Sequence, residues 1–417
     1  MRAQLEGSRA VALTVARCRP EVVCAYPISP QTHIIEAVGE MVKTGALAPC
    51  EFINVESEFA AMSVAIGASA AGARAFTATA SQGLLFMMEA VYNAGGLGLP
   101  IVMTLANRAV GAPINIWNDH SDAMAARDAG WVQLFAESNQ EAADLHIQAF
   151  RLAEELSVPV MVCMDGFILT HAVEAVEMPT QTQVDAFVPP YEPRQVLDPD
   201  HPVSIGAMVG PEAFEEVRYL AHARHLQALA RLGGLAEEFA EMFGRDSGGL
   251  VHPYRSADAD VVVVAMGSVL GTVKDIVDTM RDAGTRIGAL GITSFRPFPG
   301  DAVRQALAGA GHVVVVEKAL SVGFGGVLST DVAMALTGLR VPVATVVAGL
   351  GGRAILKTSL QPVFEAAARG ELGRLTFLDL NMALVERELG RIAGSRHSGP
   401  SAENILRDLG VVASGIG

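Results

Sequence analysis

Short apolar runs alternate with segments of helical period through the first 165 residues. The run VVCAY at 22–26 predicts a buried strand, and 31–43 predicts a helix after it. The pairing repeats with strand 51–55 and helix 58–71, then strand 75–80 and helix 84–94, then strand 101–106. A loop over 107–121 leads to a strand at 131–136, a helix over 140–156 and a strand at 159–164. Near-continuous apolar strands separated by helices indicate a parallel sheet covered on both faces. The stretch 10–16 is also apolar, but Arg17 and Arg19 follow it with no small-residue cleavage site, so it predicts an amphipathic helix and not an export signal.

The alternation lapses over 179–202, which is rich in Pro, Asp, Gln and Thr and reads as a linker. Residues 212–245 predict one long or two shorter exposed helices. Strands at 261–266, 286–292, 312–317 and 342–347 then alternate with helices at 272–283, 301–308 and 328–336. The expected organisation is a first α/β domain over 1–178, a linker with a helical segment over 179–255, a second α/β domain over 256–385 and a tail over 386–417 that packs on a neighbour. No apolar run approaches the ~20 residues of a membrane helix.

Composition narrows the function classes. Of 417 residues, 51% are hydrophobic and 18% charged, enough apolar surface for large cores and subunit interfaces. The formal charge of −15 argues against nucleic acid, which requires a basic stripe, and disfavours this surface as the dock for an acidic electron carrier. Cys18, Cys24, Cys50 and Cys163 are scattered in or beside apolar segments, so free buried thiols and a cytoplasmic setting are expected. Iron–sulfur clusters need cysteines in groups, so such chemistry belongs on another chain.

Ligands of an open parallel sheet sit at the carboxyl ends of its strands. The segments there are Pro27 to Thr32, Glu56-Ser57-Glu58, Ser81-Gln82-Gly83 and Asn107-Arg108. Hydroxyls, carboxylates, an amide and a guanidinium thus collect on one edge, which suits a small anionic substrate. Structural readings stand beside this one. Ser29-Pro30 also suits a turn and helix start, and Glu56 and Glu58 suit a helix N-terminus on electrostatic grounds alone. Arg108 follows a buried strand, as a fixed anion partner or a surface cation. The run Asp119-His120-Ser121-Asp122 reads first as helix capping, with a metal or proton-relay role for His120 as the alternative. No G-x-G-x-x-G follows a strand. Asp165-Gly166 superficially matches the magnesium-diphosphate motif of thiamine enzymes, but the preceding Gly and the following Asn are missing.

Three segments are more specific: YPISPQTHIIE at 26–36, VESEFAAMSVAIGASAAGARAFTATASQGLLFM at 55–87 and NDHSDAMAARDAGW at 118–131. With FRPFP at 295–299, VEKALSVGFGG at 316–326 and GLGGR at 349–353, the chain closely resembles the alpha subunit of the 2-oxoacid:acceptor oxidoreductases, usually ferredoxin-linked. The resemblance implies two parallel-sheet domains, one of the thiamine-enzyme pyrimidine-binding type and one like the transketolase C-terminal domain. It implies oxidative decarboxylation of a 2-oxo acid with coenzyme A to an acyl-CoA and carbon dioxide. Thiamine diphosphate and Mg2+ would be held mainly by a beta subunit. Electrons would pass to [4Fe–4S] clusters on partner subunits, which include gamma and ferredoxin-like delta chains. Carried onto this sequence, Glu58 matches the glutamate that hydrogen-bonds the aminopyrimidine N1′ and serves catalysis and cofactor binding. Arg108 matches the arginine that pairs with the substrate carboxylate. Ser29 stands where the pyruvate enzymes carry a threonine that contacts the same carboxylate, and the lost methyl leaves room for a larger acid. Pyruvate, branched-chain, 2-oxoglutarate and aromatic phenylglyoxylate-type substrates stay open. So do NAD as final acceptor through a flavin subunit, and a non-catalytic assembly scaffold.

Overall fold

A computed structural model describes residues 2–411. The first domain is built on a seven-stranded sheet. From one edge its strands are Ser294–Arg296, Val132–Phe135, Val160–Asp165, Ile101–Asn107, Ala75–Thr79, Val22–Ala25 and Glu51–Asn54. All pair in parallel except Ser294–Arg296, which runs antiparallel to Val132–Phe135. The inner strands Ala75–Thr79, Ile101–Asn107 and Val160–Asp165 are buried throughout, as their unbroken apolar runs require. The chain leaves Val22–Ala25 for one neighbour, Glu51–Asn54, then returns to the other, Ala75–Thr79. That reversal opens a crevice at the carboxyl ends of these strands.

The second domain holds a six-stranded sheet in the order Leu375–Phe377, Val343–Val347, His312–Glu317, Val261–Ala265, Ile287–Ile292 and Val251–Tyr254. Val251–Tyr254 is its antiparallel edge. The strand Ser294–Arg296 leaves this domain two residues after Ile292 to join the first sheet. The core is continuous across the junction: Phe135 and Phe295 meet edge-on with centroids 6.0 Å apart. A two-stranded ribbon of Arg2–Glu6 and Val173–Glu177 closes the far side of the first domain.

Three elements differ from the sequence-based expectation. The helix expected over 84–94 is two helices, Ser81–Phe86 and Met88–Leu97, joined at Met87. The helical segment over 212–245 is one helix, Phe214–Phe243, and one face of its second half is buried. Leu232, Leu235, Phe239 and Phe243 bury against Phe187 and the helix Asn139–Leu156, with Phe187 and Phe239 edge to face at 5.5 Å. The segment beyond 378 forms two helices, Met382–Gly394 and Ser401–Asp408, pinned together by Arg391 on Asp408 at 2.8 Å. The final six residues of the expected tail, 412–417, lie outside the described residues. Cys18, Cys24 and Cys163 are buried free thiols, and Cys50 is half-buried. Burial pushes the Cys24 thiol up to about 12, so it stays protonated at neutral pH. Among the described residues no helix is long and apolar enough to cross a membrane.

Candidate active site

The crevice brings the four strand-end segments onto one rim. Ser57 caps the helix Glu58–Ala70, its hydroxyl accepting from Ala60 N at 3.2 Å, which sets Glu58 at the first helical position. Glu58 is buried, 8% exposed, and no described residue hydrogen-bonds its carboxylate. Its Oε1 lies against Gly83, where a Cβ would sit 2.8 Å from it and 2.5 Å from Thr79 Oγ1. Glycine there leaves the carboxylate its place. Glu56 is not drawn into the core: it is exposed.

The turn at 81–83 is held from below. Ser81 adopts φ 50°, a left-handed conformation that costs a non-glycine residue about 1–3 kcal/mol unless its surroundings impose it. Asp122 imposes it by accepting from Ser81 N at 3.0 Å, from Arg108 N at 2.9 Å and from Asn107 Nδ2 at 2.9 Å. The Ser81 hydroxyl donates to Ala109 O at 2.5 Å. Asp122 also accepts from Ala123 N at 2.8 Å, and complete burial pushes its carboxyl up to about 6 against the pull of these four donors. One carboxylate thereby fixes the turn beside Glu58 and the backbone of Arg108 together. The 119–122 run, which reads as a helix cap in sequence, divides its work: Asp119 accepts from Ser121 N at 2.9 Å at the helix start, and Asp122 is the joint between two strand-end loops. Its apolar sequel, AMAA, was the available hint that this Asp points inward.

Arg108 is not a surface cation. It is 7% exposed, with Nε donating to Asn115 O at 2.9 Å and Nη1 donating to Ser29 O at 3.0 Å. Burial lowers its pKa, partly offset by Asp122. Nη2 has no hydrogen-bond partner among the described residues, so part of the guanidinium is uncommitted. The contact with Ser29 O joins two of the sequence candidates directly, and Ser29 itself is exposed. The loop turn is also locked by Gln31, whose Nε2 donates to Tyr26 O and Ala78 O at 2.9 and 3.1 Å.

Asp165, the residue of the partial diphosphate motif, is committed elsewhere. Its carboxylate meets His120 Nε2 at 2.7 Å and Lys318 Nζ at 3.0 Å, and accepts from Ser268 N at 3.0 Å and Asn118 Nδ2 at 3.2 Å. Lys318 Nζ also bonds Asn118 Oδ1. Burial opposes ionisation, but Lys318 and His120 overcome it and hold this carboxyl well below the usual range. The cluster ties the first domain to the second, and His120 acts in that tie. The residues therefore do not fit a magnesium-bound diphosphate at Asp165. The unpaired, buried carboxylate of Glu58 does fit the aminopyrimidine end of thiamine, a ring with a nitrogen to meet it.

Comparison with known proteins decides the family. Residues 14–232 match the model of the thiamine-diphosphate-binding domain of pyruvate flavodoxin/ferredoxin oxidoreductase, and 259–359 match core domain II of pyruvate:ferredoxin oxidoreductase. The chain belongs to the 2-oxoacid:ferredoxin oxidoreductase family, as an alpha subunit. It is similar to pyruvate synthase subunit PorA of Methanosarcina barkeri, 48% identical over 91% of this chain and 97% of the relative. The PorA subunit of Thermotoga maritima is 45% identical over 89% of this chain and 95% of its own length. Ketoisovalerate oxidoreductase subunit VorA of Pyrococcus horikoshii is 40% identical over 84% and 89%. In fold, the chain matches 2-oxoglutarate:ferredoxin oxidoreductase from Magnetococcus marinus with a TM-score of 0.69 at 18% identity, covering 88% of this chain and 65% of that one. A split-gene transketolase matches with a TM-score of 0.53 at 16% identity. Both resemblances agree with a pyrimidine-binding-type first domain and a transketolase-like second domain. The subunit serves a thiamine-diphosphate-dependent oxidoreductase that decarboxylates a 2-oxo acid oxidatively, with coenzyme A as co-substrate and electrons leaving through iron–sulfur centres.

Proposed function

We propose that this chain completes a composite active site, closing the aminopyrimidine end of a thiamine diphosphate whose diphosphate and Mg2+ are held by a beta subunit, and binding a small 2-oxo acid through Arg108 and Ser29. The observation that carries this reading is the pairing of a buried carboxylate without a partner, Glu58, with a partly uncommitted buried guanidinium, Arg108, on one crevice rim. Thiamine diphosphate, when bound, supplies the carbanion-stabilising chemistry. The Glu58 carboxyl would meet the aminopyrimidine N1′ in a hydrogen bond, the contact through which a positioned carboxyl assists proton movement at the ring. Arg108 takes the substrate carboxylate on its remaining N–H groups, and its anchorage to Asn115 O and Ser29 O orients the guanidinium in advance. The Ser29 hydroxyl lines the same pocket and sets its size.

The rim is apolar where a partner subunit would cover it. Phe59 beside Glu58, Phe86 beyond the 81–83 turn, and Ile114 and Trp117 in the Arg108 loop are 39, 61, 82 and 52% exposed. Large apolar side chains clustered around polar groups mark a protein interface. Iron–sulfur clusters and the gamma and ferredoxin-like delta chains belong to the partner side of the assembly, and the surroundings are cytoplasmic.

Relatives named as pyruvate synthase make pyruvate the first substrate to test, and the VorA relative makes 2-ketoisovalerate the second. Steady-state kinetics of the purified complex on a series of 2-oxo acids, with viologen as acceptor, tests the reading. Turnover that requires coenzyme A and favours one of the small acids supports it; no CoA-dependent turnover of any 2-oxo acid by an intact, thiamine-loaded complex contradicts it.

A further inference from the structure

Behind the substrate loop, three residues far apart in sequence converge. Glu6 ends the strand Arg2–Glu6 and precedes the helix Gly7–Arg17. His33 lies in the first turn of the helix Thr32–Lys43, four residues past Ser29. His171 lies between the strands Val160–Asp165 and Val173–Glu177. One ligand atom from each lies within 4.8 Å of the other two, and among the described residues this is the one such group of three. Glu6 Oε1 stands 2.8 Å from His33 Nδ1. The two imidazoles lie 4.8 Å apart, tilted by 36°.

The surroundings orient this group further. The Thr170 hydroxyl contacts His171 Nδ1 at 2.7 Å, which fixes that ring and leaves Nε2 as its other donor atom. Phe167 packs on the same ring with centroids 4.8 Å apart.

We propose that Glu6, His33 and His171 form a site for a divalent transition-metal ion of the zinc class, which clamps the helix after the substrate loop to the first strand and to the 167–171 loop. Two imidazoles and one carboxylate suit zinc, cobalt or nickel and not the oxygen-seeking magnesium or calcium. Bonds of about 2.0–2.1 Å require the most widely separated of these ligand atoms, now within 4.8 Å of one another, to draw closer. His33, the exposed member, exchanges its contact with Glu6 for the shared ion, and water would complete the coordination. The Thr170 contact serves as the outer hydrogen bond that holds a metal-bound histidine in place. The proposal is independent of the substrate assignment, since no residue of the site is placed in the catalytic machinery.

The test is titration of the full chain with ZnCl2 by calorimetry, and with NiCl2 followed by tryptophan fluorescence. Trp117 packs against Phe167 with centroids 5.0 Å apart and planes tilted by 51°, so the rings of His33, His171, Phe167 and Trp117 form one file from the site to a reporter. Binding of close to one equivalent of zinc is expected, with quenching by nickel. His33→Ala and His171→Ala should each weaken both effects by at least about tenfold. His33 is exposed, so its variant keeps the fold even if the His171 variant does not, and circular dichroism checks this. Absence of zinc binding to the wild-type chain, or binding of equal strength in a folded His33→Ala chain, would overturn the proposal.

Discussion

At the scale of single residues, the account rests on groups whose hydrogen-bonding capacity is partly unused. Arg108 spends Nε and one Nη1 hydrogen on backbone carbonyls and keeps the rest for a ligand. Arg108→Ala should therefore raise KM and lower kcat/KM, since a desolvated carboxylate left without its partner costs on the order of 2–5 kcal/mol. Arg108→Lys keeps the charge but loses the planar fork and the two carbonyl anchors, and should fall between. Kinetics of the assembled complex check both, with thiamine occupancy unchanged; an unaltered kcat/KM in Arg108→Ala would remove Arg108 from the site. Ser29→Thr should penalise branched or aromatic 2-oxo acids more than pyruvate, and equal tolerance of every acid would end its role as a size filter. Gly83→Ala gives a sharper test of placement. A methyl group there must push the Glu58 carboxylate or Thr79 aside, and a shift of about 1 Å can cost on the order of 10²-fold in rate. Activity of the folded, assembled variant should drop by more than any fall in melting temperature accounts for, and full activity in Gly83→Ala would show that the position of Glu58 is immaterial.

At the scale of elements, the loops are held by carboxylates that the sequence pattern does not distinguish from caps. Strand positions and the chemistry at their ends were legible because periodicity and short-range motifs are local. The role of Asp122 was not, because the backbone N–H groups it gathers come from residues 81 and 108, distant in sequence and adjacent only once the sheet has formed. The strand Ser294–Arg296 and the ribbon Arg2–Glu6 with Val173–Glu177 were missed for the same reason: three to five residues of pairing leave no period to read. Asp165 illustrates a motif fragment with a different destiny, bound to Lys318 and His120 across the domain junction. Removing one partner of a buried pair is costly, so Lys318→Met should destabilise the chain by about 3–5 kcal/mol in denaturant unfolding. The pH dependence has a definite sign. The Asp165 carboxyl is depressed in the folded chain, so its contribution is present above the ordinary value of 3.8 and is lost as pH falls below it. Acid unfolding followed by circular dichroism should begin below about pH 4 in the wild type, and Lys318→Met should flatten that limb. A variant with unchanged stability and an unchanged acid limb would mean the tie contributes nothing.

At the scale of the whole molecule, the chain presents half of a site. Its first domain offers Glu58, Ser29 and Arg108 at a crevice bordered by exposed Phe59, Phe86, Ile114 and Trp117, and its Asp165-Gly166 fragment is closed to a metal. The isolated chain should bind thiamine diphosphate weakly or not at all, and tight magnesium-dependent binding by calorimetry would show that the site is not shared. The family could be read from sequence because long motifs stand in order. The need for a partner was legible only from motifs that are missing, and its surface only from side chains the fold leaves uncovered. The most direct test of the central claim is exchange of the thiamine C2 proton in the assembled complex, comparing wild type with Glu58→Gln. The account predicts an intact complex with full cofactor occupancy and exchange slowed by roughly 10²–10⁴-fold. Exchange at the wild-type rate in a fully loaded Glu58→Gln complex would contradict it, leaving Glu58 as a carboxylate placed only to suit a helix N-terminus.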